Sequence, residues 1–177
     1  MKSIATRLNG LVLLEPDVFG DARGFFLESF HADRYRAIGI RVQFVQDNHS
    51  RSTRSVIRGL HYQTAPGQPK LIRVARGSIF DVAVDIREES PTFGQHETFI
   101  LDDESHRQLY VPPGFAHGFA TLSEIADVVY KVGSYYDAAT ERGIAWDDPA
   151  LRIVWPVENP IVSDRDRSNP RLKELMP

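Results

Sequence analysis

Apolar and polar residues alternate along this chain in short runs, and turn-forming residues separate the runs. The segments "GLVLLEP", "GFFLESF", "VQFVQDNHS", "SVIRGLHYQ", "KLIRVARG", "SIFDVAVDIR", "HETFILD", "QLYVPPG", "HGFATLS" and "ADVVYKVGSYY" are rich in β-branched and aromatic residues. Breakers fall between them at "APGQP", "ARGS", "ESPTFG" and "VPPG". Helical periodicity is weak. Its best candidates are "HADRYRAIG", closed by a C-cap glycine at Gly39, and a short stretch near the C-terminus. Many short strands with few helices predict a mostly-β fold, a sandwich or barrel of the jelly-roll kind. With no repeat, low-complexity tract or linker-like shift in composition, residues 1–177 read as one domain.

Alternation then assigns faces. In "DVAVDIR", Val82, Val84 and Ile86 point one way, and Asp81, Ala83 and Asp85 the other. Gln46, Asn48 and Ser50 share a face, as do Tyr130, Val132, Ser134 and Tyr136. A sheet face carrying carboxylates, amides and phenols suits a barrel whose interior holds a polar ligand. On any single strand, the same pattern also reads as a solvated surface.

Composition narrows the classes. The hydrophobic share of 42% and charged share of 25% are those of a globule with a proper core. A net charge of −3 with interspersed signs gives no support for nucleic-acid or membrane-surface binding. No apolar run approaches the roughly 20 residues that span a bilayer, and the N-terminus has no signal-peptide pattern. The absence of cysteine excludes disulfides, thiol nucleophiles and thiolate metal sites. A cytoplasmic setting is expected, although a chain without cysteine is also compatible with export.

Candidate chemistry centres on histidine, the side chain best matched to proton transfer near neutral pH. Of the six histidines, His31 reads as a helix start, and His96 and His106 sit in polar surroundings. His61 in "RGLHYQ" and His117 in "GFAHGFA" lie in apolar and aromatic contexts. Either alone is more simply a hydrogen-bonded core residue; two, with carboxylates and tyrosines on other strands, point to a site. "LHYQ" has glutamine where a barrel metal site needs a second ligand, and no acidic residue follows at ligand spacing, so no metal is expected. "DARGFF" and "VIRGLHY" set arginine beside glycine, suited to a phosphate approached by a planar fork. No glycine-rich phosphate loop is present, so side chains would have to bind such a group.

These segments also carry a family resemblance. "VFGDARGFFLESF", "VQDNHSRSTRSVIRGLHYQ", "PKLIRVARGSIFDVAVDIREESPTFG", "LYVPPGFAHGFATLSEIADVVYK", "ERGIAWDDPAL", "IVWP" and "VSDRD" resemble the dTDP-4-dehydrorhamnose 3,5-epimerases, in the family's order and across about residues 10 to 170. The resemblance implies a cupin-like jelly-roll homodimer without cofactor, acting on a dTDP-4-keto-6-deoxyhexose in dTDP-L-rhamnose biosynthesis. It implies His61 as general base, Asp166 as its partner, Tyr130 as proton donor and Lys70 near the ketone oxygen. It pairs His117 with Asp81, and it assigns Arg23, Phe26, Glu28, Gln46, Asn48, Arg58 and Tyr136 to nucleotide, diphosphate or sugar.

The chemistry implied is coherent. The C4 ketone acidifies its neighbours C3–H and C5–H; a base removes one proton, a cation holds the enolate oxygen, and an acid on the other ring face returns a proton. Two departures stand out. Ser55 occupies a turn position where the family has glycine. Arg58 and His61 are three apart, so strict alternation puts them on opposite faces unless a bulge near Gly59 intervenes. A 3- or 5-monoepimerase, a ketoisomerase, or a non-catalytic nucleotide-sugar-binding module would share much of this pattern.

Overall fold

The computed structural model describes residues 1–175. In chain order the strands are β1 (Lys2–Ile4), β2 (Val12–Glu15), β3 (Val18–Asp21), β4 (Gly24–Leu27), β5 (Gln46–Thr53), β6 (Val56–Gln63) and β7 (Lys70–Arg76). They continue as β8 (Ser78–Asp85), β9 (His96–Asp102), β10 (Gln108–Val111), β11 (Phe115–Thr121), β12 (Ile125–Val132), β13 (Glu141–Gly143) and β14 (Ile161–Val162). Helix α1 (Ala32–Ala37) follows β4, and the single turn α2 (Asp164–Arg167) and a 3₁₀ turn at Leu172–Glu174 lie near the C-terminus. Every run of alternating residues contains a strand. No helix among the described residues is long and apolar enough to cross a membrane.

Two antiparallel sheets face each other as a jelly roll. The first runs β1-β2-β10-β7-β12-β5; the second runs β13-β6-β11-β8-β9, with β14 parallel to β6. Between them, Ile72 and Val74 of β7, Val128 of β12, Ile79 and Ala83 of β8 and Phe115 and Phe119 of β11 form the main core. Val82 and Val84 share one face, as alternation predicts; that face is the outward one, and they are covered by Ile144, Leu151 and Leu172 of the C-terminal segment. Tyr35 of α1 and Ile40 cover Leu14, Leu71 and Tyr110 on the outside of the first sheet.

The apolar filling does not extend across the whole interior. On β5, Gln46, Asn48 and Ser50 lie opposite Val132, Tyr130 and Val128 and share their inward face. The outward residues of β5 are polar too: Arg51 pairs bidentately with Asp127 at 2.8 Å, and Asp47 accepts from Lys131 at 2.8 Å. The barrel is therefore a core at one end and a polar cavity at the other. The hairpin β3–β4 stands apart from both sheets and leaves Phe19, Phe25 and Phe26 more than 60% exposed.

One expected face is corrected. Tyr130 and Val132 share the inward face of β12, but the strand ends at Val132 and the chain turns, so Ser134 and Tyr136 do not continue that row. Tyr136 is held instead by its backbone N–H, which donates to Gln46 at 3.1 Å, and by its hydroxyl, which donates to Glu141 at 2.8 Å.

Candidate active site

A cavity of about 550 Å³ opens between the sheets, lined by Ser50, Arg58, His61, Lys70, His117, Tyr130, Arg165 and Asp166 among others. Lys70 heads the inward row of β7 that continues through Ile72 and Val74, and Tyr130 lies on β12 beside it. These two come from the first sheet. Arg58 and His61 come from β6 and His117 from β11, all in the second.

The register explains how Arg58 and His61 reach the same cavity. His61 lies opposite His117, and Arg58 lies opposite Phe119, so three steps on β6 match two on β11. The extra residue is a bulge at Gly59. Gly59 has φ of +122°, and a Cβ there would sit 2.6 Å from Gly118 Cα and 2.8 Å from the His117 carbonyl oxygen. Only glycine lets the two strands approach this closely. The turn before β6 explains the other departure: Ser55 sits at φ 66°, the left-handed region where glycine costs least.

The bulge also helps to organise the His61–Asp166 pair. Gly59 N–H donates to Asp166 Oδ2 at 3.2 Å, and His61 Nε2 lies 2.6 Å from Asp166 Oδ1. Asp166 is buried on α2, whose first turn is capped by the Ser163 hydroxyl, which accepts from Asp166 N–H at 3.1 Å. Burial alone would raise the Asp166 carboxyl; the hydrogen bond and charge of His61, with help from Gly59 and Arg165, hold it below the usual range. An ionised carboxylate only accepts, so His61 Nε2 carries a proton, and in the neutral imidazole the lone pair is then on Nδ1.

Across the cavity, burial pushes Lys70 down to about 8, opposed by the negative charges of Glu141 and Asp81. Burial, and then Glu141, raise the Tyr130 phenol against the pull of Arg58, so its hydroxyl keeps its proton at neutral pH. Buried His117 Nε2–H donates to the Asp81 carboxylate at 2.9 and 3.0 Å. Arg58 Nε donates to Ser52 Oγ at 2.9 Å, which fixes its guanidinium at the rim. Gln46 donates to Asn48 at 2.8 Å on the same β5 face. Among the described residues, no three His, Asp or Glu side chains group as a metal ion would require.

Arg23, Phe26 and Glu28 are not brought to this cavity. Arg23 and Phe26 lie on the projecting hairpin, where Arg23 pairs with Asp21 at 2.5 Å, and Glu28 follows it, pairing with Arg34 at 3.0 Å. Two residues escaped the sequence reading: Arg165, which lines the cavity, and Glu141, which pairs with Arg165 at 2.6 Å. Arg165 lies one position before Asp166 on a turn too short to show periodicity, and Glu141 sits on the three-residue strand β13.

A profile of dTDP-4-dehydrorhamnose 3,5-epimerase matches residues 5–174. The chain is 52% identical over 168 residues to the dTDP-4-dehydrorhamnose 3,5-epimerase of Shigella flexneri, covering 94% of this chain and 93% of that one. The crystal structure of a Legionella pneumophila dTDP-6-deoxy-D-glucose-3,5-epimerase in complex with dTDP-4-keto-L-rhamnose is 48% identical. It superposes with a TM-score of 0.95 and covers 99% of this chain and 97% of that chain. A Streptomyces bikiniensis 3'-monoepimerase in complex with dTDP-quinovose is 36% identical with a TM-score of 0.90, covering 95% of this chain and 86% of that chain. By sequence, fold and extent, this chain belongs to the dTDP-4-dehydrorhamnose 3,5-epimerase family.

Proposed function

We propose that this protein converts dTDP-4-dehydro-6-deoxy-D-glucose to dTDP-4-dehydro-L-rhamnose, inverting C3 and C5 by proton transfer alone. The observation that carries this reading is the division of the cavity. The His61–Asp166 pair stands on the second sheet and its neighbouring turn, while Tyr130 and Lys70 stand on the first. A sugar ring between the sheets has a base on one face and an acid on the other, as inversion requires.

His61 Nδ1 takes the proton from C3 or C5. The electron pair moves into the ring, leaving negative charge on the C4 oxygen, and the Lys70 ammonium stabilises that enolate. Tyr130 then donates its phenolic proton to the same carbon from the opposite face, and solvent restores both groups. Asp166 fixes the His61 tautomer and offsets the imidazolium charge that forms. Arg58 holds diphosphate at the rim, while Gln46, Asn48, His117 and Tyr136 position nucleotide and sugar, with Asp81 orienting His117.

The same reading makes the enzyme a homodimer. Arg23, Phe26 and Glu28 serve a cavity only if the hairpin β3–β4 reaches a second copy. Its exposed phenylalanines and the open edge of β5, beside Gln46 and Asn48, favour that arrangement. A cytoplasmic location follows from the substrate, a charged nucleotide sugar that does not cross a bilayer unaided.

Proton NMR of the keto-sugar with enzyme in heavy water tests the function. Deuterium should enter both C3 and C5, and the L-configured sugar should appear. Exchange at a single carbon would favour the monoepimerase reading, and its absence together with tight dTDP binding would favour a binding module. His61→Ala should bind dTDP normally and lose exchange by several orders of magnitude.

A further inference from the structure

At the end of the barrel beside Lys70 the chain passes between the two sheets at three neighbouring crossings, and these are locked to one another. Residues 64–69 run from β6 to β7, residues 112–114 from β10 to β11, and residues 133–140 from β12 to β13. Gly67 stands where they meet. Its φ is +83°, and a Cβ on it would lie 2.6 Å from Pro113 Cβ, so glycine is what seats the first crossing on the second. Its carbonyl accepts from the Ser134 hydroxyl at 3.2 Å, and Gln68 Nε2 donates to the Ser134 carbonyl at 3.1 Å. These two side-chain bonds join the first crossing to the third. On either side of them, Gly133 N–H donates to the Pro69 carbonyl at 3.0 Å and Thr64 N–H to the Thr140 carbonyl at 2.9 Å.

We propose that Gln68 and Ser134 are positioning residues, whose clasp sets the distance between the His61 wall and the Lys70–Tyr130 wall. The inference rests on the division of labour proposed for those walls. All three groups sit close to a crossing: His61 is three residues before Thr64, Lys70 directly follows Pro69, and Tyr130 is three residues before Gly133. Farther along the barrel the sheets are spaced by packed side chains, beginning with Ile72, two residues beyond Lys70. At Lys70 the space between the sheets is the cavity itself, so side-chain packing does not set the gap there. The crossings set it. Neither Gln68 nor Ser134 lines the cavity, so both act through the strands they join. Proton delivery across a sugar ring is steep in distance, and a misplacement of about 1 Å costs on the order of 100-fold. Tyr136 lies two residues beyond Ser134 but is held separately by Gln46 and Glu141, which uncouples nucleotide binding from the clasp.

A proton removed by His61 can be replaced in two ways. Return by His61 leaves deuterium at an uninverted carbon; delivery by Tyr130 inverts it. The ratio of the two within one time course in heavy water does not depend on how much enzyme is folded. Gln68→Met/Ser134→Ala removes both side-chain bonds at similar volume, and it should lower the ratio of inverted to exchanged sugar about tenfold. Its affinity for dTDP should be unchanged. Ser134→Thr keeps the hydroxyl and should keep the wild-type ratio in a chain with Gln68 intact. Native-state hydrogen exchange reads the clasp without turnover: the Gly133 and Thr64 amides should exchange faster in the double variant. Unchanged protection of those amides, or faster exchange with an unchanged product ratio, overturns the proposal. A wild-type protein that inverts neither carbon is a different failure. It retires the proposed function, while the amide protection still reports whether the clasp holds the walls.

Discussion

Replacing Gly59 by alanine adds one methyl group at the point where the site's geometry is decided. The new Cβ would stand 2.6 Å from Gly118 Cα and 2.8 Å from the His117 carbonyl oxygen, roughly 0.6–0.8 Å inside ordinary contact. Both neighbours are backbone, so no side chain can swing away. Overpacking of this kind costs about 1–3 kcal/mol, and holding alanine at φ +122° costs about 1–3 kcal/mol more. The sum, about 2–6 kcal/mol, is a large part of the roughly 5–15 kcal/mol that holds a domain together. At roughly 2–4 °C per kcal/mol for a chain of this size, Tm should fall by about 5–20 °C. Relief by flattening the bulge shifts the register by one residue and turns either Arg58 or His61 out of the cavity. Circular-dichroism melting should therefore show the loss, and well below the new Tm kcat/KM should be down at least about 100-fold. Gly39→Ala is the control: φ there is +97° but nothing lies within 4 Å, so it should cost only the backbone strain, about 1–3 kcal/mol, without the overpacking. A Gly59→Ala protein that melts with wild type and epimerises within threefold of it would refute the bulge as the device that co-locates Arg58 and His61.

Tyr130→Phe should separate the two half-reactions: His61 still exchanges deuterium into C3 or C5, yet little inverted sugar forms. Complete epimerisation by this variant would move the acid to another group or to water. Lys70 sits near 8 in the folded protein, against an ordinary 10.5, so activity that needs the ammonium should decline as pH rises through about 8. The sign for stability is opposite. The desolvated charge destabilises the fold fully below pH 8, and the penalty fades between about 8 and 10.5 as the folded state releases its proton before the unfolded chain does. Lys70→Met should thus raise Tm at pH 7 while abolishing turnover, with the gain shrinking towards pH 10; equal Tm at pH 7 would contradict the desolvation. If the hairpin serves the other subunit, co-refolding Arg23→Ala with His61→Ala should rebuild one intact site per mixed dimer. About a quarter of the sites then become active, whereas sites built within one chain would give no rescue.

What could be read from the sequence depended on the range of the cause. Alternation is local, so the sharing of one face by Gln46 and Asn48, by Asp81 and Asp85, and by Val82 and Val84 was legible, but which of these faces turns inward depends on how the sheets pack and was not. The run beyond Val132 was misread because a pattern in residue types does not show where pairing stops; Gly133 N–H bonds to the Pro69 carbonyl and the strand ends. Short elements were invisible for the same reason. β13 and α2 have three and four residues, too few to express a period, yet they carry Glu141, Arg165 and Asp166. Asp166 was found only through resemblance, since nothing local in "VSDRD" says that it will meet a histidine 105 positions earlier.

The conflict over Arg58 and His61 is the most instructive, because the rule that failed marked the site. Strict alternation along β6 would have sent one of the two into the layer where Leu60 packs under the C-terminal segment. A buried, unpaired arginine or histidine there would be costly, so the sequence was either wrong about a residue's role or right about a bulge. Gly59 resolves the choice, and the same residue gives its backbone N–H to Asp166. One extra residue in a strand thus puts Arg58 and His61 on one wall and helps fix the carboxylate behind His61. A local breach of strand periodicity around a glycine, flanked by an arginine and a histidine, is evidence for a functional wall before any cavity has been seen.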